Sequence, residues 1–364
     1  MSVELGMPQP GSPGPRVPHA PDGTPVSWTD ERFAEGLLHD TYGRVATDLR
    51  VSLTDRCNLR CTYCMPAEGL DWMATDKVLT AGEIGRLLRI GVEDLGIRRI
   101  RFTGGEPLLR RELTEIVTAA ARLDPRPELS LTTNGLGLAR KAEELAAAGL
   151  DRVNVSLDTI DREGYAAITR RDRIDDVLAG LAAAADAGLT PVKVNAVLDP
   201  RSGGADAPDL LRFCLERGYE LRIIEQMPLD AGHDWRRSTM ITAATVREIL
   251  GAHFTLTPDR RPRGSAPAQR FLVDGGPATV GIIASVSEPF CGACDRTRLT
   301  ADGQIRNCLF AREESDLRAA LRGGAGDAEL AARWRAAMWT KRAGHGIDDP
   351  DFVQPDRPMS AIGG

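Results

Sequence analysis

From Asp48 onward the chain repeats one unit: a short β-type run, then a helical stretch, often closed by glycine. The β-type runs are DLRVSL (Asp48–Leu53), RRIRFT (Arg98–Thr103), ELSLTT (Glu128–Thr133), RVNVSL (Arg152–Leu157), PVKVNAV (Pro191–Val197) and LRIIEQM (Leu221–Met227). Between them lie segments rich in Ala, Leu, Arg and Glu with apolar residues at helical spacing, such as TAGEIGRLLRIGVEDLG and ARKAEELAAAGL. Gly96, Gly149, Gly188 and Gly218 stand where helices should end, because glycine accepts the left-handed backbone of a helix C-cap. Strands joined through helices pair in parallel with right-handed crossovers. Eight units would close a barrel; six predict an α/β fold built on an incomplete (βα)6 TIM-like barrel.

Polar residues cluster at the strand ends, in Thr103-Gly104-Gly105-Glu106, Thr132-Thr133-Asn134-Gly135 and Ser156-Leu157-Asp158. In parallel sheets the carboxyl ends of the strands carry the chemistry, so these motifs are expected to converge on one face. After about Asp230 the rhythm stops. A helical segment (Thr242–Leu250), β-type runs (Arg270–Val273, Ala278–Ser285) and two further helical stretches (Glu313–Leu321, Ala328–Lys341) predict a smaller α+β subdomain packed across the open side of the barrel. The expected division is a disordered Pro/Gly-rich leader over 1–28, the barrel over 45–230 and the subdomain over 231–364.

With 364 residues, 42% of them hydrophobic, a sizeable core is within reach. The net charge of −6 argues against a general nucleic-acid binder, but a local arginine cluster can still hold a nucleotide. No apolar run is long enough to span a membrane, and the N-terminus carries no secretory signal. A cytoplasmic location is the expectation, and there clustered cysteines are metal ligands more often than disulfides.

The stretch VSLTDRCNLRCTYCMPAEGL spaces Cys57, Cys61 and Cys64 as C-x3-C-x2-C. Cys291, Cys294 and Cys308 follow as C-x2-C-x13-C. A structural zinc site takes four ligands, and so does an iron–sulfur cubane that only carries electrons. Three thiolates leave a metal position open. The seventh cysteine, Cys214 in LLRFCLERG, lies on an apolar helical face and reads as a buried thiol.

CNLRCTYC, with Tyr63 before its last cysteine, resembles the cluster loop of the radical S-adenosylmethionine (SAM) superfamily. TGGEP (Thr103–Pro107), one β-type run later, strengthens the resemblance. The second triad narrows it to the GTP 3′,8-cyclase family, whose reaction opens molybdenum cofactor biosynthesis; the resemblance runs from about Val45 to the end.

The resemblance implies two 4Fe–4S clusters. Cys57, Cys61 and Cys64 would hold one, with SAM on its open iron; Cys291, Cys294 and Cys308 would hold the other, with the guanine of GTP on its open iron. It implies SAM contacts at Tyr63, Gly105, Glu106, Ser156 and Met227. It implies GTP contacts at Arg50, Arg101, Thr132, Lys193, Arg222, Arg296, Thr297 and Arg298, with Arg50 catalytic beside the first triad. Arginine suits this task, since its planar fork pairs with phosphate oxygens. Arg99 stands where some relatives carry Lys.

The closing Gly363-Gly364 is expected to reach into the active site, as in the family. The implied product is (8S)-3′,8-cyclo-7,8-dihydroguanosine 5′-triphosphate. The implied partners are a flavodoxin- or ferredoxin-like electron donor and a downstream cyclic pyranopterin monophosphate synthase; a homodimer stays open. Two other classes remain: a radical SAM enzyme acting on a peptide or RNA, and a non-catalytic iron–sulfur sensor. GTP-dependent cleavage of SAM separates the first reading from both.

Overall fold

In the computed structural model, which describes residues 18–363, twelve strands form one continuous sheet. The six expected strands are present: β1 (Asp48–Ser52), β2 (Arg99–Thr103), β3 (Glu128–Thr133), β4 (Arg152–Ser156), β5 (Lys193–Ala196) and β6 (Glu220–Ile224). They pair in parallel, each with the next. The helices between them bury their apolar sides; Ala81–Arg89, for example, covers the sheet with Ile84, Leu87 and Leu88. Thr80 starts that helix with a capping box, its hydroxyl accepting from the Glu83 amide while the Glu83 carboxylate accepts from the Thr80 amide. Gly96, Gly149, Gly188 and Gly218 all have positive φ, as their C-cap role requires.

The region from 231 onward does not stand apart. It contributes β7 (Leu256–Pro258), β8 (Gln269–Val273), β9 (Thr279–Ile283), β10 (Arg296–Leu299), β11 (Gln304–Arg306) and β12 (Ser315–Asp316). β9 joins β6 in parallel and β10 joins β1 in parallel. β8 and β7 continue antiparallel from β9, and β11 and β12 from β10. The expected separate subdomain is therefore an extension of the barrel sheet at both edges. An open sheet leaves unpaired amides and carbonyls along each edge, and the later strands satisfy them. The stretch Glu313–Leu321, expected to be helical, begins with β12; its helix starts at Leu317, capped by the Asp316 carboxylate.

The leader expected over 1–28 is also corrected where it is described. Residues 1–17 lie outside the described residues. From residue 18 the chain packs: Ala20, Val26 and Phe33 are buried against Ala332 and Ala336 of the helix Asp327–Trp339. Arg333 stacks over Trp28 at 4.2 Å. Single apolar residues set in turns leave no period in the sequence, yet each finds a site on a helix laid against them. Cys214 is fully buried in the main core, and burial pushes its thiol up to about 12.

Candidate active site between two cysteine triads

The first triad sits in the loop that leaves the carboxyl end of β1. That loop is zipped to the neighbouring TGGEP turn: the Gly105 amide donates to Thr54 O at 2.8 Å and the Glu106 amide to Arg56 O at 2.7 Å. The two glycines permit this contact. A Cβ on Gly104 would lie 2.3 Å from Thr54 O, and one on Gly105 would lie 2.3 Å from Arg56 O. Sequence reasoning gave the glycines to a ligand; here they let one loop's backbone lie on the other's.

Glu106 is fully buried, and both its oxygens are engaged by the protein. One accepts from Thr133 Oγ1 at 2.7 Å and from the Leu108 amide at 2.9 Å; the other accepts from the Asn134 amide at 2.7 Å. Burial raises this carboxyl to about 7. Its carboxylate therefore organises the turn and Asn134, whose Nδ2 lies 3.8 Å from Cys57 Sγ. Tyr63 donates to Asp158 Oδ2 at 2.9 Å, and Asp158 Oδ1 accepts from the Val197 amide. The loop's far side hangs on Arg170, which donates to the carbonyls of Arg60 and Met65.

The second triad lies at the other end of the strands. Cys294 immediately precedes the amino end of β10, which runs parallel to β1. Cys308 follows β11, which runs antiparallel to β10 and so ends at the same level. The two triads therefore lie at opposite ends of the barrel strands. The strand-end motifs do meet at the carboxyl ends, where Glu106 accepts from Thr133 and Asn134; the second triad stands at the amino ends, so the candidate site is the interior of the barrel.

Arginines fill the space between. Arg298, Arg50 and Arg101 are register neighbours on β10, β1 and β2, so their side chains stack on one face. Arg50 pairs with Asp48 at 3.2 Å, Arg101 donates to Ser130 Oγ at 3.3 Å, and Arg222 donates to Asn154 Oδ1 at 2.6 Å. One cavity is lined by Arg50, Arg101, Arg222, Arg296 and Arg298 together with Met227 and all three cysteines of the second triad. Burial and then neighbouring arginines push Arg222 and Arg298 down to about 9, and Arg101 well below its ordinary value. Asp48, against the pull of burial, is held well below the usual carboxylate range by Arg50, Arg101, Arg296 and Arg99. A cavity so rich in buried, mutually repelling cations is built for a polyanion.

Lys193 and Arg99 stand at the amino ends of β5 and β2. Lys193 pairs with Glu220 at 2.8 Å; Arg99 pairs with Asp295 and donates to Ser265 Oγ at 3.1 Å. Thr132 accepts from Asn154 Nδ2 at 3.3 Å. Ser156 is half-buried at the carboxyl end of β4. Thr297 points the other way: its hydroxyl accepts from the Trp334 indole at 3.1 Å, beneath the helix Asp327–Trp339. The period of two that aims Arg296 and Arg298 inward necessarily aims Thr297 outward.

The C-terminal segment closes the carboxyl end. The Met359 amide donates to Leu229 O at 3.0 Å, and a Ser360 amide contact lowers Cys64, although burial and Cys57 leave that thiol raised to about 12. Arg298 donates to the carbonyl of Gly363. Gly364 lies outside the described residues. Sequence reasoning missed Asn195, Phe290, Asn307 and His345, which also line the cavity. For Asn195 a signal existed, since it follows Lys193 by two on the same face; the others depend on loops that carry no period.

Both triads fit iron–sulfur ligation. In each, the sulfurs are near enough to raise one another: Cys57 and Cys64 act on Cys61, and Cys308 and Cys294 on Cys291. Three thiolates per triad suit a cubane that keeps one iron open better than a closed four-ligand zinc site.

Residues 51–214 match the model of the radical SAM superfamily, and residues 219–347 match Molybdenum Cofactor Synthesis C. The chain is 70% identical to a GTP 3′,8-cyclase of Mycobacterium sp. (strain KMS), over 90% of this chain and 94% of that one. It is 69% identical to a GTP 3′,8-cyclase of Mycolicibacterium smegmatis, over 91% and 93%. It is 68% identical to GTP 3′,8-cyclase 2 of Mycobacterium tuberculosis H37Rv, over 90% and 92%. Among solved structures, Streptococcus suis SuiB shares the fold with a TM-score of 0.54 at 15% identity, covering 76% of this chain and 65% of its own length. Radical SAM core, cofactor-synthesis C-terminal region and near-full-length identity agree: the chain belongs to the GTP 3′,8-cyclase family of radical SAM enzymes.

Proposed function

We propose that this chain converts GTP to (8S)-3′,8-cyclo-7,8-dihydroguanosine 5′-triphosphate, the first step of molybdenum cofactor biosynthesis. The single observation that carries the reading is the arginine-lined interior with a cysteine triad at each end. In this reading Cys57, Cys61 and Cys64 hold the first 4Fe–4S cluster, and Cys291, Cys294 and Cys308 hold a second. When bound, the first cluster with SAM supplies a carbon-centred oxidant that removes a ribose hydrogen atom.

The chain's own residues bind, orient and shield. Arg50, Arg101, Arg222 and Arg298 take the triphosphate, whose charge relieves their mutual repulsion. Arg296 and the second triad take the base end, beside Phe290. Ser156 and Met227, with the backbone at Gly105, border the SAM end, and Tyr63 is fixed there by Asp158. Thr132 and Lys193 extend the nucleotide side; Thr297 contributes through its backbone alone. Gly363, held by Arg298, covers the first triad's side and excludes water from it. No helix among the described residues is long and apolar enough to cross a membrane. A cytoplasmic setting, a flavodoxin- or ferredoxin-like electron donor and a cyclic pyranopterin monophosphate synthase that consumes the product complete the proposal.

The test is anaerobic reconstitution with iron and sulfide, then dithionite, SAM and GTP. The reading expects about eight irons per chain and 5′-deoxyadenosine that rises with GTP. Tightly bound zinc with no deoxyadenosine overturns it.

A further inference from the structure

The chain that follows the helix Asp327–Trp339 forms a collar around the second triad. Asn307, next to Cys308, donates to Ala337 O and Thr340 Oγ1 at 2.9 and 2.8 Å. Arg44, from the opposite end of the sequence, donates to Cys291 O at 2.8 Å and to the carbonyls of Ala343 and Arg342 at 2.9 and 2.6 Å. Within this collar Lys341 is 3% exposed.

Its ammonium has three N–H donors. Two carbonyls fix it in place: Arg296 O at 2.9 Å and Cys294 O at 3.2 Å. The third contact runs to Cys294 Sγ at 3.4 Å. A buried ammonium is costly unless it faces an anion. Among the ion pairs of the described residues, none gives Lys341 a carboxylate. The group on its doorstep is the Cys294 sulfur, an anion once it ligates metal, and it also lies 3.5 Å from Arg296 Nη1. Among the described residues no Lys or Arg donates to the sulfur of Cys291 or Cys308, so the triad is electrostatically lopsided.

We propose that Lys341 is a positioning residue for the second cluster: it donates a charge-assisted hydrogen bond to the Cys294 thiolate, raises that cluster's reduction potential and sharpens its open iron as a binding point for the purine. The inference rests on the two-cluster reading above. Hydrogen bonds and cations at a ligand sulfur withdraw electron density from the iron. A less electron-rich iron is a stronger acid toward nitrogen and oxygen donors. The two carbonyl bonds hold the ammonium at this spot.

The test uses the full chain with Cys57, Cys61 and Cys64 replaced by Ala, so that only the second cluster is loaded. Its midpoint potential is followed by EPR-monitored redox titration, and GTP affinity by equilibrium binding. Lys341→Met is expected to keep its iron and to lower the midpoint by about 59 mV, a tenfold shift in a one-electron equilibrium, with weaker GTP binding. Lys341→Arg, which restores a charged donor, is expected to recover most of both. A Met variant with full iron and an unmoved midpoint overturns the proposal, as does an Arg variant that falls as far as Met. If the Met chain takes up no iron, Lys341→Gln is read in its place; it keeps a neutral donor, and a parent-like midpoint there overturns the proposal. A parent chain that takes up no iron fails before any Lys341 variant is made, and that result removes the two-cluster reading itself.

Discussion

Arg298 donates a hydrogen bond to the carbonyl of Gly363, joining the middle of β10 to the end of the chain. The tail thereby lies across the carboxyl ends of β1 and β2. Gly363 has φ of 71°, and a Cβ there would lie 2.4 Å from Thr103 Cγ2 and 2.7 Å from Ser52 Oγ. The arginine proposed to take the triphosphate also anchors the tail at the first triad's end of the barrel.

Gly363→Ala is therefore expected to push the tail off its seat. Product formation should fall roughly 100-fold, as misplaced reacting groups typically do, while the thermal midpoint stays near that of the parent. Turnover and calorimetry on the same preparation check this. A fully active variant removes the tail from the site.

Gly105→Ala acts on the first triad. The added methyl meets Arg56 O at 2.3 Å and Asp55 O at 2.4 Å, and neither backbone oxygen can move freely. The loop should separate from the turn and its cysteines with it. Iron content is expected to fall from about eight to about four per chain, with the second cluster's EPR signal kept.

Glu106 sets a pH dependence. Burial raises its carboxyl from 4.5 to about 7 in the folded chain. A group raised on folding favours the native state fully below its unfolded value and loses that contribution as pH rises through the folded value. The apoprotein should thus lose about 3 kcal/mol of stability between pH 4.5 and 7 from this one group. Glu106→Gln, which cannot ionise, should flatten that slope in urea titrations at several pH values. It should also be less stable at low pH, because one of its oxygens becomes a donor facing donors. An unchanged slope contradicts the assignment.

Arg101→Met separates stability from function. Arg101 is buried, repelled by Arg50 and Arg222, and bonded to Ser130 Oγ, which also reaches Ile100 O. Its removal leaves Ser130 bonded to Ile100 O and Asp48 still paired with Arg50. The nucleotide-free protein should gain about 1 kcal/mol, as when other buried charges are replaced by apolar groups. GTP affinity should fall roughly 10- to 100-fold, the worth of one charge-assisted hydrogen bond. A Kd that does not move would falsify the role given to the interior arginines.

Local sequence determined a great deal. The six strands, the helix C-caps at Gly96, Gly149, Gly188 and Gly218, and the buried thiol of Cys214 were legible because each depends on a periodicity or a backbone preference carried by a few adjacent residues. The two triads were legible because each is a short, closely spaced run of cysteines. Only the tertiary structure decided which ends of the barrel they occupy. Cys294 lies far from Asp48 in sequence, and it was the parallel pairing of β10 with β1 that set the second triad at the amino end. The same pairing stacked Arg298 on Arg50 and turned Thr297 toward Trp334. Pairing partners and register come from long-range burial and edge satisfaction, which no window of sequence contains. Lys341 shows the same division: in the sequence it is one residue of a helical stretch, and only the fold brings its ammonium to the Cys294 sulfur.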